Sequence, residues 1–193
     1  MSTPETWPTF VNVNGISLCY EDLGYPQNPA IILIMGLACQ MTSWPPTLIA
    51  YLLKAGFRVV LFDNRDIGLS TEMQVEKKVN MPANFLRYKL GMAVRSSYDL
   101  NDMAEDTRGL MDRLGIASAH IVGVSMGGMI AQILAIRHPA RVKSMTLLMS
   151  SDNSPRNPAP NPRVLWCMNG GGVKGHHIEA ARARSMALVF YVR

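Results

Sequence analysis

An α/β domain built on a mostly parallel, twisted sheet with helices on both faces is the fold class that the sequence predicts. Three observations predict it. Short apolar runs alternate with longer segments of helical period between residues 9 and 150, and strands alternating with helices imply parallel pairing through helical crossovers. Runs such as Ala30–Met35 are continuously apolar, the composition of a strand buried on both faces. The 193 residues are 48% hydrophobic and 17% charged, enough for one sizeable core and unlike a disordered chain.

Each element has a local reason. Thr9–Asn14 and Ile16–Glu21 flank Gly15 and predict a hairpin. Pro26 and Pro29 break the chain before the strand Ala30–Met35. Ser43 is placed to cap a helix that has Pro45 and Pro46 in its first turn and stops near Ala55 and Gly56. Phe57–Asp63 is the next buried strand. Residues 64–98 are irregular, with a short helix expected over Ala83–Lys89. Met103, Leu110, Met111 and Leu114 share one helical face, so Asn101–Leu114 is a helix ended by Gly115. Ala119–Val124 is a strand, Met126–Arg137 a helix stopped before Pro139, and Val142–Ser150 a strand. After Ser150 the Pro/Asn-rich SDNSPRNPAPNP and the glycines of Asn169–Gly172 change the character of the chain. A core over 1–150 and a separate region over 151–193 follow, the latter with a helical stretch at His177–Met186 and an apolar end at Ala187–Val192.

Composition excludes several classes of function. Cys19, Cys39 and Cys167 are widely spaced with no CxxC pair, which argues against a disulfide framework or a zinc site and for burial as small hydrophobes. The net charge of +5 comes from scattered Lys and Arg, so nucleic acid is not an expected partner; the basic stretch 76–89 is expected to be a solvated face. No apolar run is long enough to span a bilayer, and no targeting signal is visible, so no membrane association and a cytoplasmic location are expected.

The most specific pattern is Gly123-Val124-Ser125-Met126-Gly127, placed where a strand ends and a helix begins. That context gives a GxSxG run meaning. The turn is so tight that a side chain at either glycine would clash, and it lifts the Ser125 hydroxyl to a helix N-terminus, where N–H groups and the helix dipole favour negative charge. A second N–H is expected from the loop after Ala30–Met35. There Gly36 lets the backbone approach a substrate, and Leu37 N–H pairs with Met126 N–H as an oxyanion hole. Met35 and Gly36 are the expected substrate-binding positions, with Leu37, Met126 and the 81–92 loop adding apolar lining.

Four stretches carry a family resemblance: LIMGLACQMTSWP (33–45), GFRVVLFDNRDIGLS (56–70), YDLNDMAEDTRGLMDRLGI (98–116) and HIVGVSMGGMIAQILAIRHPARVKSMTLLMS (120–150). Taken together they resemble the α/β-hydrolase superfamily, and within it esterases similar to aclacinomycin methylesterase. The resemblance covers about Thr9 to Ser150. It implies hydrolysis of small-molecule esters by Ser125 without a cofactor or metal, and disfavours relatives with an Asp nucleophile. Many relatives carry His where Met35 stands. Asp63 and Arg65 match a D-x-R-x-x-G-x-S element, expected to be structural. The resemblance also implies that 151–193 is part of a cap, and that the family's last strands, usual acid and usual catalytic His lie beyond this sequence.

Within the chain, His120 opens the strand that leads to Ser125 and so lies at the opposite edge of the sheet. His138 stands about 20 Å away at the end of the following helix, at roughly 1.5 Å per residue. His176 and His177 are the candidate bases and Asp152 the candidate acid, in the Ser–acid–His order of the fold. The expected activity is a serine carboxylesterase acting on short-to-medium acyl esters; the alternative is a truncated, catalytically impaired fold or a binding protein. An unpaired edge at Val142–Ser150, or the tail Ala187–Val192, predicts homo-oligomer formation.

Overall fold

The computed structural model describes residues 8–73 and 97–152, with residues 161 and 163. Six strands form one sheet: β1 (Thr9–Val13), β2 (Ile16–Leu23), β3 (Ala30–Ile34), β4 (Arg58–Phe62), β5 (Ala119–Val124) and β6 (Val142–Leu148). Their spatial order is β1-β2-β4-β3-β5-β6. The β1–β2 and β2–β4 pairs are antiparallel, and β4–β3, β3–β5 and β5–β6 are parallel. The α/β-hydrolase fold class expected from the sequence is the one observed. The chain divides into two compact units, Met1–Asp152 and Asn153–Arg193.

The β1–β2 turn consists of Asn14 and Gly15 at φ 46° and 78°, the paired positive values that a two-residue hairpin needs. Period-two alternation then sorts β3 between two cores. Ile32 and Ile34 join Val60, Phe62, Met103, Leu110, Ile130 and Leu134 on one face. Ile31 and Leu33 join Cys19, Val59, Leu61 and Trp44 on the other. The helix α1 (Pro46–Lys54) packs on this second face through Leu48, Ile49, Leu52 and Leu53. The helices α2 (Leu100–Arg113) and α3 (Met126–Arg137) cover the first. Cys19 is fully buried, and burial raises its thiol pKa, with the Asp63 charge adding to the shift; it behaves as a small hydrophobe.

Several boundaries differ from expectation. Ser43 does not cap α1: it closes a 3-10 turn, Met41–Ser43, and Pro45 takes the N-cap position with no side-chain bond. Two consecutive prolines hold the entry to the helix extended, so the hydroxyl two residues upstream is out of reach. The strand expected over 142–150 ends at Leu148, where Met149 turns to φ 52°. The expected helices at 83–89 and 177–186, Cys167 and the tail 187–192 lie outside the described residues. Among the described residues no helix is long and apolar enough to cross a membrane.

The start of α2 is fixed by Asp99, whose carboxylate accepts the Asn101 and Asp102 N–H groups while Asp102 accepts Asp99 N–H, a reciprocal capping box. The Asn101 side chain first, and then those N–H groups, lower the Asp99 pKa. Because the folded value is depressed, the contribution is complete above the ordinary Asp pKa and disappears as pH falls through the folded one. Asp99→Ala is expected to cost about 1 kcal/mol at neutral pH. Thermal denaturation should show the gap from the parent closing in acid; a gap independent of pH would argue against this role.

Candidate active site

Ser125 sits between the end of β5 and the start of α3 with φ 53° and ψ −118°, a backbone conformation rare for any residue with a side chain. A serine at a helix N-cap normally turns its oxygen back to accept an N–H of the first turn. The Ser125 side chain makes no such bond. Its backbone, by contrast, is fully engaged. Ser125 N–H donates to Leu148 O at 2.9 Å, and Ser125 O accepts the Ser150 hydroxyl at 2.8 Å and Gly128 N–H at 3.0 Å. The strained turn is thus held from β6 and α3, while the hydroxyl is left out of the capping framework.

The glycines around it are required by contact. A Cβ on Gly123 would stand 2.6 Å from Gly128 Cα. One on Gly127 would meet the Ile34 carbonyl and stand 2.7 Å from Met35 O, and one on Gly128 would stand 2.5 Å from Ser150 Cβ. The first two explain the GxSxG spacing. Gly128 is a third close approach, between α3 and the end of β6.

The loop leaving β3 faces this turn. A Cβ on Gly36 would lie 3.2 Å from Ser125 Cβ and 3.8 Å from its Oγ, so the Gly36 backbone passes directly beside the hydroxyl. Leu37 follows, 70% exposed. Met126 opens α3, so its N–H has no preceding helical turn to donate to and points along the positive end of the helix dipole. The Met35 side chain is buried in the core with Leu33, Met41 and Trp44, while Met126 is partly buried against the core on the other face of the sheet. Ala38 holds φ 57°, a left-handed conformation that costs a non-glycine residue about 1–2 kcal/mol.

Asp63 and Arg65 are structural, through buried hydrogen bonds. Asp63 Oδ1 accepts Met41 N–H at 2.7 Å, and its Oδ2 accepts Leu69 N–H at 3.3 Å. Arg65 makes a paired contact with Asp106 at 2.6 and 2.7 Å and lies over the Tyr98 ring. Burial, and then the hydrogen bond to Asp66, push the Tyr98 pKa up to about 12. Between them, Asn64 Nδ2 donates to Met35 O at 3.1 Å. Sequence reasoning passed over Asn64 and Ser150. The signal available for Asn64 was a polar residue two positions past the apolar strand β4, which once buried must find a partner.

Both described histidines are engaged elsewhere. His120 Nδ1 is 2.8 Å from Ser144 Oγ, with its ring edge-on to Phe57. His138 Nε2 is 2.7 Å from Glu105. Asp152 lies exposed just past β6. His176, His177 and the 81–92 loop lie outside the described residues.

A fold of this topology, with a serine on a strained strand-to-helix turn, is that of the α/β hydrolases, and the family's sequence profile matches residues 29–185. The chain belongs to this family of hydrolases. It is 28% identical over 134 residues to rhodomycin D methylesterase DauP of Streptomyces sp. (strain C5), covering 69% of this chain and 39% of that protein. It is 34% identical over 131 residues to the putative carbamate hydrolase RutD of Variovorax paradoxus (strain S110), covering 68% of this chain and 41% of that one. The chain therefore spans about two fifths of the length of these curated relatives. In three dimensions it is similar to a meta-cleavage product hydrolase from Pseudomonas fluorescens IP01, with a TM-score of 0.66 at 20% identity over 93% of this chain and 56% of the other. That likeness speaks for the fold.

Proposed function

We propose that this chain carries the nucleophile and oxyanion hole of a serine carboxylesterase. The observation that carries the reading is Ser125: an N-cap serine that does not cap, on a turn strained to φ 53° and ψ −118°. Strain of this kind persists only where the surroundings enforce it, and it is concentrated at functional sites. The esterase and carbamate hydrolase named among the relatives support hydrolysis at a carbonyl centre.

In this mechanism Ser125 Oγ attacks the ester carbonyl as an imidazole takes its proton. The tetrahedral oxyanion accepts N–H bonds from Leu37 and Met126, worth most in a site shielded from water. Collapse expels the alcohol, which recovers the proton from the imidazolium, and water then hydrolyses the acyl-enzyme by the same route. The imidazole is assigned to His176 or His177, oriented by Asp152. Leu37 and Met126 favour short-to-medium acyl chains.

Purified protein is expected to hydrolyse p-nitrophenyl butyrate. Replacing both His176 and His177 by Ala should lower kcat at least about a hundredfold, the lower end for loss of a general base. Asp152→Asn should lower it as well, by leaving the imidazolium unsupported. Parent-like rates in the double variant would rule these residues out as the base.

A second reading, a hydrolase fold that binds esters without efficient turnover, is favoured by one observation: His120 and His138 are both bonded away from Ser125. Under that reading, loss of His176 and His177 changes nothing, and only slow turnover supported by the oxyanion hole is measured.

A further inference from the structure

The loop from Met35 to Met41 is anchored at both ends by two consecutive residues of one strand end. Asn64 donates to Met35 O at 3.1 Å at the start of the loop, and Asp63 accepts Met41 N–H at 2.7 Å at its close. Both anchors are buried, Asn64 at 2% and Asp63 at 4% exposure. Asp63 is itself fixed from outside the loop. The Ser70 hydroxyl donates to Asp63 O at 2.6 Å and accepts Cys19 N–H of β2 at 2.9 Å. Within the loop the support is slight, a long Cys39 N–H to Gly36 O contact at 3.3 Å, and Ala38 is held left-handed.

The Met35 carbonyl, just past β3, also lies close against the start of α3, next to the still nearer Ile34 carbonyl. It is one of the atoms a side chain at Gly127 would strike. Whatever turns this carbonyl resets the Met35–Gly36 peptide, which passes beside Ser125, and with it the direction of the Leu37 N–H that follows. Asn64 Nδ2 is the donor that holds it.

We propose that Asn64 is a positioning residue for the oxyanion-binding loop, acting with Asp63 to aim Leu37 N–H at the tetrahedral intermediate. This rests on the reading of Ser125 as the nucleophile. Asn64 touches the loop rather than the substrate, so its loss weakens transition-state stabilisation more than ground-state binding.

The test is Asn64→Leu, close to the parent in shape but without the amide donor, with Asn64→Gln as a second variant that keeps a donor at a different reach. The expected result is a kcat for p-nitrophenyl butyrate lower by on the order of 10- to 100-fold, as for a small misplacement of a catalytic group, with KM within about twofold of the parent on the same grounds. Hydrogen exchange should quicken at the amides of residues 36–41 and stay unchanged at 126–130. Exchange at 36–41 equal to the parent in a folded variant overturns the proposal, as does a parent-like kcat. If Asn64→Leu does not fold, Asn64→Gln decides by the same two readings. A parent protein that hydrolyses no ester would instead overturn the reading of Ser125, and the exchange data would still decide whether Asn64 holds the loop.

Discussion

Ser125→Ala is expected to remove nearly all ester hydrolysis while leaving the fold intact. Removing the nucleophile of a complete Ser–His–Asp set costs on the order of 10⁶-fold in kcat, and what survives reflects the oxyanion hole acting on bound substrate with water as the attacking group. The fold should tolerate the change because the Ser125 hydroxyl makes no capping bond and alanine keeps the same Cβ. Ser125→Gly separates chemistry from strain. It should be equally inactive yet more stable than Ser125→Ala, by about 1 kcal/mol, because glycine adopts a positive φ without penalty. Steady-state kinetics and chemical denaturation of the three proteins check both halves. An alanine variant that retains parent-like kcat, or a glycine variant less stable than alanine, would be inconsistent with a strained nucleophile.

Asp106→Ala is expected to be the most destabilising single substitution named here, at about 3–5 kcal/mol. Arg65 and Asp106 are 4% and 3% exposed and form a paired contact. Removing the carboxylate leaves a buried guanidinium without its counter-charge and also strips Asn14 Nδ2 of its 2.9 Å acceptor. Three elements loosen together: the β1–β2 hairpin, the segment after β4, and α2. Replacing both partners, as Arg65→Met with Asp106→Leu, should cost much less than the single change, since no unpaired charge is then buried. Denaturant midpoints of the single and double variants would show the reverse order if the pair were merely a surface contact.

How much of this was legible in the sequence depends on the range of the interaction. The hairpin at Asn14-Gly15, the buried strand β3 and the helix α3 are written in local period and turn residues, and the chain adopts them as expected. The GxSxG glycines were legible because their clashes arise within a few residues of Ser125. The start of α2 is one residue earlier than expected, at Leu100 in place of Asn101: the capping box uses Asp99 and Asp102, where the familiar pattern has Glu at the second position. Asn64, Asp106 and Ser150 were not legible in their roles. Their partners lie 29, 41 and 25 residues away in sequence, and such contacts leave no periodic trace. The antiparallel pairing of β2 with β4 is likewise set by packing after collapse and not by any local signal.

The central claim, that Ser125 is an activated nucleophile, is tested most directly by labelling with a fluorophosphonate probe and mapping the adduct by peptide mass spectrometry. The probe needs a serine oxygen that can be deprotonated beside donors able to receive the phosphoryl oxygen, the arrangement proposed for the turn at Ser125. The account predicts a single adduct on Ser125, absent from Ser125→Ala. Labelling that persists in Ser125→Ala, or that maps to another serine of the parent, would contradict it.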